Sequence, residues 1–371
     1  MMRIALLAVA LAAAPAAHAA HAASSAGVTW RFAVSGDSRN CGDVVMPAIA
    51  RGVKKDGAQF YWHLGDFRAI YDFDQDMLAA HGGKLLIAQY QRSAWDDFIA
   101  NQLMPFGATS VYLGIGNHEL VPPMTRADYV AQFADWLDAP ELRDQRLADD
   151  PTDRRLKTYY HWKHGPVDFI SMDNASAEQF DDSQLAWFER TLAKAKADPT
   201  VKAVVVGMHE ALPNSFSCGH GMNDSAAGTE SGRRVYRDLL QWSKETGKSV
   251  RLLASHSHFV LGDLYATPYW KNSKAEGRGV LSGWLNGAAG AVRYALPPDL
   301  PAGTFAKTGV YGYLLGTVKS DGDVGFEFKE VRRQDVPEEI VARYGKKTVD
   351  DCFAGNRDAG FSAGAPSCSD K

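Results

Sequence analysis

The sequence predicts an α/β protein built on a largely parallel, buried β-sheet. Three observations carry that expectation. The run "VTWRFAVSGD" alternates Trp30, Phe32 and Val34 and ends in Gly36-Asp37, the period of a strand meeting a turn. Two strand–helix–strand steps follow, which require parallel neighbours. The polar residues with chemical potential stand at the ends of strand-like runs, where open α/β sheets place their ligands.

In chain order, a helix is expected through "VVMPAIARGVKKDG", a strand in "AQFYWHLGD", and a long helix spanning roughly "GKLLIAQYQRSAWDDFIANQLM". The third strand is "SVYLGIGN". Residues 138–156 are charge-rich with two prolines and read as a solvated surface insertion. "KTYYHWKHGPVDFISMDN" reads as two strands around a His164-Gly165-Pro166 turn. The segment "DDSQLAWFERTLAKAKAD" starts acidic and ends basic, as a helix dipole favours. A strand "VKAVVVGMHE", a helix to Gly247, a strand "SVRLLASHSHF" and a hairpin turning at Asp321-Gly322 complete the body.

The chain has 371 residues, 46% apolar and 23% charged, with a formal net charge of −4. No broad basic surface follows from that balance, which disfavours a nucleic-acid partner. The opening residues carry one Arg, an apolar stretch from Ile4 to Ala14, then Ala17-His18-Ala19 and Ala20-His21-Ala22. That is the pattern of a bacterial-type signal peptide over residues 1–22, and the apolar run is shorter than the ~20 residues of a spanning helix. A periplasmic or secreted protein without a membrane anchor after cleavage is expected. One catalytic domain over residues 28–335 and a tail over 336–371 are expected to follow. Four cysteines, Cys41, Cys218, Cys352 and Cys368, suit an oxidising compartment and allow three connectivities. Cys352 with Cys368 would staple the Gly/Ser/Ala-rich tail and leave Cys41 with Cys218.

Asp37, Asp66 and Asn117 close the first three strands; His209 ends "VVVGMHE", and His256 and His258 end "LLASHSH". Carboxylate and amide oxygens mixed with imidazole nitrogens suit Mn, Fe or Zn better than Ca or Mg. A shared carboxylate such as Asp66 is able to bridge two metals.

In these ordered motifs, Asp, Gly-Asp, Gly116-Asn117-His118-Glu119, His and His-x-His, the sequence resembles the calcineurin-like metallophosphoesterases, in the branch similar to purple acid phosphatases. Gly-Asn-His-Glu alone arises by chance in a chain of this length roughly once in a thousand. The resemblance covers about residues 29–331. It implies two packed mixed β-sheets flanked by helices, an αββα sandwich. It also implies two divalent or trivalent metal ions and hydrolysis of a small-molecule phosphate mono- or diester by attack of a metal-bound hydroxide. Asp66 would bridge, Asn117, His209 and His256 would complete the second metal site, and Asp37 and His258 would belong to the first. His118 would assist the leaving group, and Glu119 would orient that imidazole or its loop.

Three positions depart from the pattern. Where the family usually has Asp-x-His, this chain reads Asp37-Ser38-Arg39, and arginine has no lone pair for a metal. Where purple acid phosphatases place a tyrosine, it has Ala69, with Tyr71 the nearest tyrosine, so no tyrosinate–iron colour is expected. Ser255 replaces a glycine. Arg39 either contacts the phosphoryl group or pairs with an acid such as Asp43. A first site with three or fewer protein ligands would bind metal more weakly. The rival reading is an exported binding protein of this fold with a degenerate first site and little catalysis. His63 and His220 are minor candidates for the site, and Asp173 and Asn174 are expected to make turn hydrogen bonds.

Overall fold

Twelve strands form two sheets in the computed structural model, which describes residues 28–175, 179–217, 219–273, 277 and 279–354. The expected signal segment over residues 1–22, Cys218 and Cys368 lie outside the described residues. The strands are β1 (Val28–Ser35), β2 (Ala58–His63), β3 (Ser110–Leu113), β4 (Tyr160–His164), β5 (Val167–Ser171) and β6 (Ala203–Gly207). They continue with β7 (Ser249–Ala254), β8 (Val260–Leu261), β9 (Ser282–Asn286), β10 (Ala306–Lys307), β11 (Tyr311–Lys319) and β12 (Val324–Val331). One sheet has the order β12-β11-β1-β2-β3 and the other β10-β8-β9-β7-β6-β5-β4. In the first, β1, β2 and β3 are parallel and the β11–β12 hairpin is antiparallel; in the second, β5, β6, β7 and β9 are parallel. The largely parallel sheet expected from strand–helix alternation is therefore divided into two mixed sheets, as the family resemblance implied.

The alternation of side chains builds the layers. Trp30, Phe32 and Val34 of β1, with Phe60 and Trp62 of β2, face Trp162, Phe169, Val205 and Leu253 of the other sheet. Aromatic rings fill this seam: Phe32 stacks on Phe60 at 5.3 Å between centroids, and Tyr112 on Trp162 at 4.1 Å. A β-carbon on Gly207 would lie 2.3 Å from the Trp62 ring, so only glycine lets that indole lie flat against β6. The other face of β6, Val204 and Val206, packs on helices α7 (Asp182–Ala197) and α8 (Ala226–Thr246). These follow, in chain order, α1 (Gly42–Lys55), α2 (Gln75–Ala80), α3 (Ile87–Phe98), α4 (Arg126–Gln132), α5 (Ala134–Leu137) and α6 (Pro140–Asp149). The result is helix, sheet, sheet, helix.

Local chemistry sets the helix ends. Asp181 and Ser225 accept hydrogen bonds from the backbone N–H of Gln184 and Gly228, capping α7 and α8, and Gly247 ends α8 with φ 68°. The long helix expected over residues 83–104 is shorter: α3 ends at Phe98 and continues as a π-turn over Ile99–Leu103. Residues 138–156 are not a solvated insertion throughout. Pro140 starts α6, and Leu142 is buried in the inter-sheet core; the charge density belongs to the helix's outer face. After α9 (Pro268–Asn272), the chain closes with α10 (Glu338–Tyr344) and α11 (Lys346–Ala354), whose Tyr344, Val349 and Cys352 join the core beneath α1. Among the described residues, no helix is long and apolar enough to cross a membrane.

The disulfide differs from both expected pairings. Cys41 is bonded to Cys352, 311 residues away, with Cα atoms 5.9 Å apart. Both sulfurs are buried because α11 docks over the start of α1. Arg293 donates to the carbonyls of Cys352 and Phe353, and the Tyr311 hydroxyl also donates to Cys352, so the helix end is held independently of the sulfur bond. Spacing along the chain carries no record of that docking. A peptide map of non-reduced protein is expected to yield a Cys41–Cys352 cross-link, and Cys352→Ala to lower unfolding stability by about 2–4 kcal/mol. A Cys41–Cys218 cross-link would contradict this arrangement.

Candidate metal centre

The carboxyl ends of both sheets meet at one rim. Gly36 N–H donates to Asn286 O, Asp37 N–H to Gly65 O, and the Asn286 amide reaches Val34 O, stitching β1, β2 and β9. Three rim residues hold a left-handed backbone that non-glycine residues seldom adopt: Asp37 at φ 61°, Asp66 at 60° and His256 at 66°. Each follows directly on the strand-end segment that presents it, and the turn swings its side chain over the rim. Glycines make the approach possible. A β-carbon at Gly116 would lie 2.3 Å from Asp66 Oδ1, and one at Gly287 would lie 2.8 Å from Asp37 Oδ2. Ser255 fits because Gly36 faces it; a β-carbon there would meet Ser255 Oγ at 2.5 Å.

All six residues expected to bind metal are brought to this rim. Asp37, Asp66, His209 and His256 offer ligand atoms that lie within 4.8 Å of one another. His209 Nε2 is 3.2 Å from Asp66 Oδ1, 3.0 Å from Asn117 Oδ1 and 3.0 Å from His256 Nδ1. His258 Nε2 is 3.3 Å from Asp37 Oδ1. Two carboxylate oxygens, Asp37 Oδ1 and Asp66 Oδ2, are buried and have no hydrogen-bond donor. Buried anionic oxygens are costly without a partner. A donor set of two carboxylates, an amide oxygen and imidazoles, with two oxygens unsatisfied, fits a transition-metal ion.

The charges of the side chains point the same way. Burial would raise the Asp66 acid, but His118, His209 and Arg39 outweigh it and hold it well below the usual carboxylate range. Burial pushes the Asp37 acid up to about 6, against His209. Burial disfavours a charged His209, yet the Asp66 and Asp37 carboxylates overcome it and raise its imidazolium to about 10. His209 Nδ1 lies 3.0 Å from Leu64 O, so Nε2 is the nitrogen that faces the other ligands. A proton on Nε2 holds those lone pairs together, and a metal ion bound there would take its place.

His118 and Glu119 divide two tasks. His118 N–H donates to Asp66 Oδ1 at 3.0 Å, and its Nδ1 lies 2.7 Å from Ala69 O, which fixes the proton on Nδ1. That leaves Nε2 facing the rim, 3.7 Å from Asp66 Oδ2. Burial lowers the imidazolium pKa more than Asp66 raises it. Glu119 does not touch the imidazole. Its carboxylate accepts from the backbone N–H of Asp66, Phe67 and Gly116, all at 2.8 Å, and so braces the loop rather than the ring. Burial and the Asp66 charge push its acid up to about 8 against those three donors; both oxygens act as acceptors, so the geometry holds the ionised form.

Arg39 also stands at the rim, 7% exposed. It does not pair with Asp43, whose Oδ1 accepts from Arg68 at 2.6 Å and Gln102 at 3.0 Å, while Tyr344 donates to its Oδ2. Arg39 Nη1 instead donates to the Tyr71 hydroxyl at 3.4 Å, and Tyr71 is 60% exposed with its ring 5.0 Å from that of His118. His63 does not join the donors: its Nε2 contacts Ser38 Oγ at 3.0 Å and burial lowers its pKa to about 3. His220 does reach the rim, stacked on Tyr294 at 5.1 Å and edge-on to His256 at 5.4 Å. Asp173 accepts a two-pronged contact from Arg126 as well as the turn hydrogen bond from Ala175 N–H, and Asn174 bonds the backbone of Glu210. Sequence reasoning missed two participants. Tyr294 stacks on His258 at 4.0 Å, and no motif marks it. The carbonyl of Ala69 sets the His118 tautomer, and a backbone acceptor leaves no trace in residue identity.

This architecture is the calcineurin-like metallophosphoesterase fold. No family model matches the chain, and no curated protein matches it. Among solved structures, the purple acid phosphatase PPD1 from yellow lupin (Lupinus luteus) seeds aligns with a TM-score of 0.56 at 16% identity. The alignment covers 81% of this chain and 51% of that one, so the chain spans about half the length of that neighbour. A dimetal phosphatase from Danio rerio aligns at TM-score 0.48 and 12% identity, over 82% of this chain and 97% of its own. PhoD aligns at TM-score 0.46 and 12% identity, over 88% and 78%. At 16% identity the likeness to the lupin structure establishes the fold alone, and the chemistry rests on the rim.

Two outcomes are expected. Metal uptake by chelator-treated protein at pH 7 should release about one proton, the one on His209, since that pH lies below its raised pKa; calorimetry in buffers of different ionisation heat would read it, and no buffer dependence would contradict the arrangement. Glu119→Ala should strand three buried N–H groups, lower stability by about 3 kcal/mol and weaken metal binding by roughly 10–100-fold, read by denaturation and by metal titration.

Proposed function

We propose that the protein is a metal-dependent phosphoesterase acting on small-molecule phosphate mono- or diesters. The observation that carries this reading is the pair of buried, donorless oxygens, Asp37 Oδ1 and Asp66 Oδ2, set among His209, His256 and Asn117. Asp37, Asp66, Asn117, His209 and His256 would hold the metal, and the further donor at this rim is His258. When bound, a divalent first-row ion neutralises charge on phosphoryl oxygens and brings the pKa of a water toward 7. The phosphatase fold of the lupin neighbour supports the reading at the level of architecture.

The chain's own residues do the rest. Asp66 is immobilised by Glu119 through its backbone and by the His118 N–H through its side chain, so the ligand geometry is set before substrate arrives. His118, held through its Nδ1–H, turns Nε2 toward the rim; it acts on the departing alkoxide in its imidazolium form, giving up the Nε2 proton and returning to the neutral Nδ1–H tautomer. Arg39 supplies a fixed positive charge toward a phosphoryl group. Tyr71, Tyr294 and His220 border the rim and meet the ester's organic group. Export, as the N-terminal pattern suggests, agrees with a disulfide between Cys41 and Cys352.

After reconstitution with Mn, Fe or Zn, turnover of p-nitrophenyl phosphate or bis(p-nitrophenyl) phosphate is expected. Asp66→Ala and His209→Ala should abolish both turnover and metal binding. His118→Ala should keep the metal and lose about 10²–10⁴-fold in rate on esters with poor leaving groups, with a smaller loss on p-nitrophenyl esters. Equal losses on both ester types would remove the general-acid role.

A further inference from the structure

His258 lies 3.3 Å from Asp37 Oδ1 but outside the group of four Asp and His side chains whose ligand atoms all converge. Its Nδ1 lies 2.5 Å from the carbonyl of Val292, an acceptor only, so Nδ1 carries the proton and Nε2 offers a lone pair. That lone pair faces Arg39, whose Nη2 is 3.2 Å away and is a donor only. A single lone pair takes either an N–H or a metal, not both. The same guanidinium reaches the other end of the rim, with Nε 3.8 Å from Asp66 Oδ2, the donorless oxygen that would bridge to a second ion. Its third arm, Nη1, is tied to the Tyr71 hydroxyl. Arg39 thus lies between His258 and Asp66, buried, across the place a second cation would need. Arginine cannot shed its charge to make room, and two cations sharing those two donors would repel strongly in a buried site.

We propose that the centre holds one metal ion, bound by Asp37, Asp66, Asn117, His209 and His256, and that the Arg39 guanidinium is its permanent second positive charge. His258 is then a positioning residue for Arg39 and not a ligand. A phosphoryl group would be gripped between one metal ion and one guanidinium, which supplies charge without metal and cannot be removed by a chelator. This inference rests on the metal-centre reading given under the proposed function.

The test is the metal content of wild-type protein saturated with Mn(II) or Zn(II), freed of excess ion by gel filtration and measured by mass spectrometry, with the electron paramagnetic resonance of the Mn(II) form. One equivalent per chain and an uncoupled Mn(II) signal are expected. Arg39→His, which adds a lone pair where none existed, should raise the count to two, and His258→Ala should keep one. Two equivalents in the wild type, an exchange-coupled signal, a folded Arg39→His variant that stays at one, or loss of the ion from a folded His258→Ala variant would each overturn the proposal. If Arg39→His does not fold, the wild-type count and spectrum decide. Zero equivalents in folded wild-type protein is a different failure, since it removes the metal centre itself and the phosphoesterase reading with it.

Discussion

A carboxylate buried without a full set of donors is the constraint around which this protein is arranged. Asp66 is fully buried, held at a positive φ, and keeps one oxygen free of hydrogen bonds. In an interior of low dielectric such a group persists only where positive charge is close. His209 and Arg39 supply it, the backbone N–H of His118 binds the other oxygen, and each of the three depends on a different element for its position. His209 ends β6 in the second sheet, His118 follows β3 in the first, and Arg39 leads into α1. The two sheets must therefore meet at their carboxyl ends, and the aromatic seam between them fixes how closely they do.

The loop chemistry around Asp66 shows how a backbone can be braced by side chains that do no chemistry themselves. Glu119 gathers three N–H groups from two loops, one of them belonging to Asp66. On the far side, Arg68 sits fully buried among Asp43, Asp74, Asp76 and Asp97, and Asp74 reaches back to the backbone N–H groups of Asn40 and Ala69. The segment carrying Ala69, whose carbonyl orients His118, is thus anchored from below. The disulfide extends the same support: Cys41 lies four residues after Asp37, and its bond to α11 ties the start of α1 to the end of the described chain. Geometry at the rim is held by a second layer that accepts burial of many charges because nearly all are paired.

Much of the rim was legible because its motifs are local. Gly-Asp and Gly-Asn-His-Glu stand where a strand ends, and strand ends in an α/β fold converge, so Asp37, Asp66, Asn117, His209, His256 and His258 were named before their contacts were known. The sequence allows Arg39 either a phosphoryl group or an acid such as Asp43, and Asp43 is taken instead by Arg68, which lies 25 residues further along the chain. What the residues did not reveal were relations set by packing across the chain. The docking of α11 on α1, which joins Cys41 to Cys352, depends on a core shared by residues 311 apart in sequence. The division into two sheets depends on which face of each strand finds aromatic partners, and alternation within one strand is the same in either arrangement. Tyr294 reached the rim through a loop without a motif, and the Ala69 carbonyl acts through the backbone, so neither had a signal to read.

In the reading proposed above, Asp66 and its neighbours grip a transition-metal ion. The most direct measurement is an anomalous-scattering map from crystals of the wild-type protein grown with Mn(II) or Zn(II). A peak is expected within coordination distance, about 2.0–2.3 Å, of Asp66, His209 and His256. A map of well-ordered protein with no peak at that position, or with its metal bound elsewhere while Asp66 Oδ2 rests against water, would contradict it.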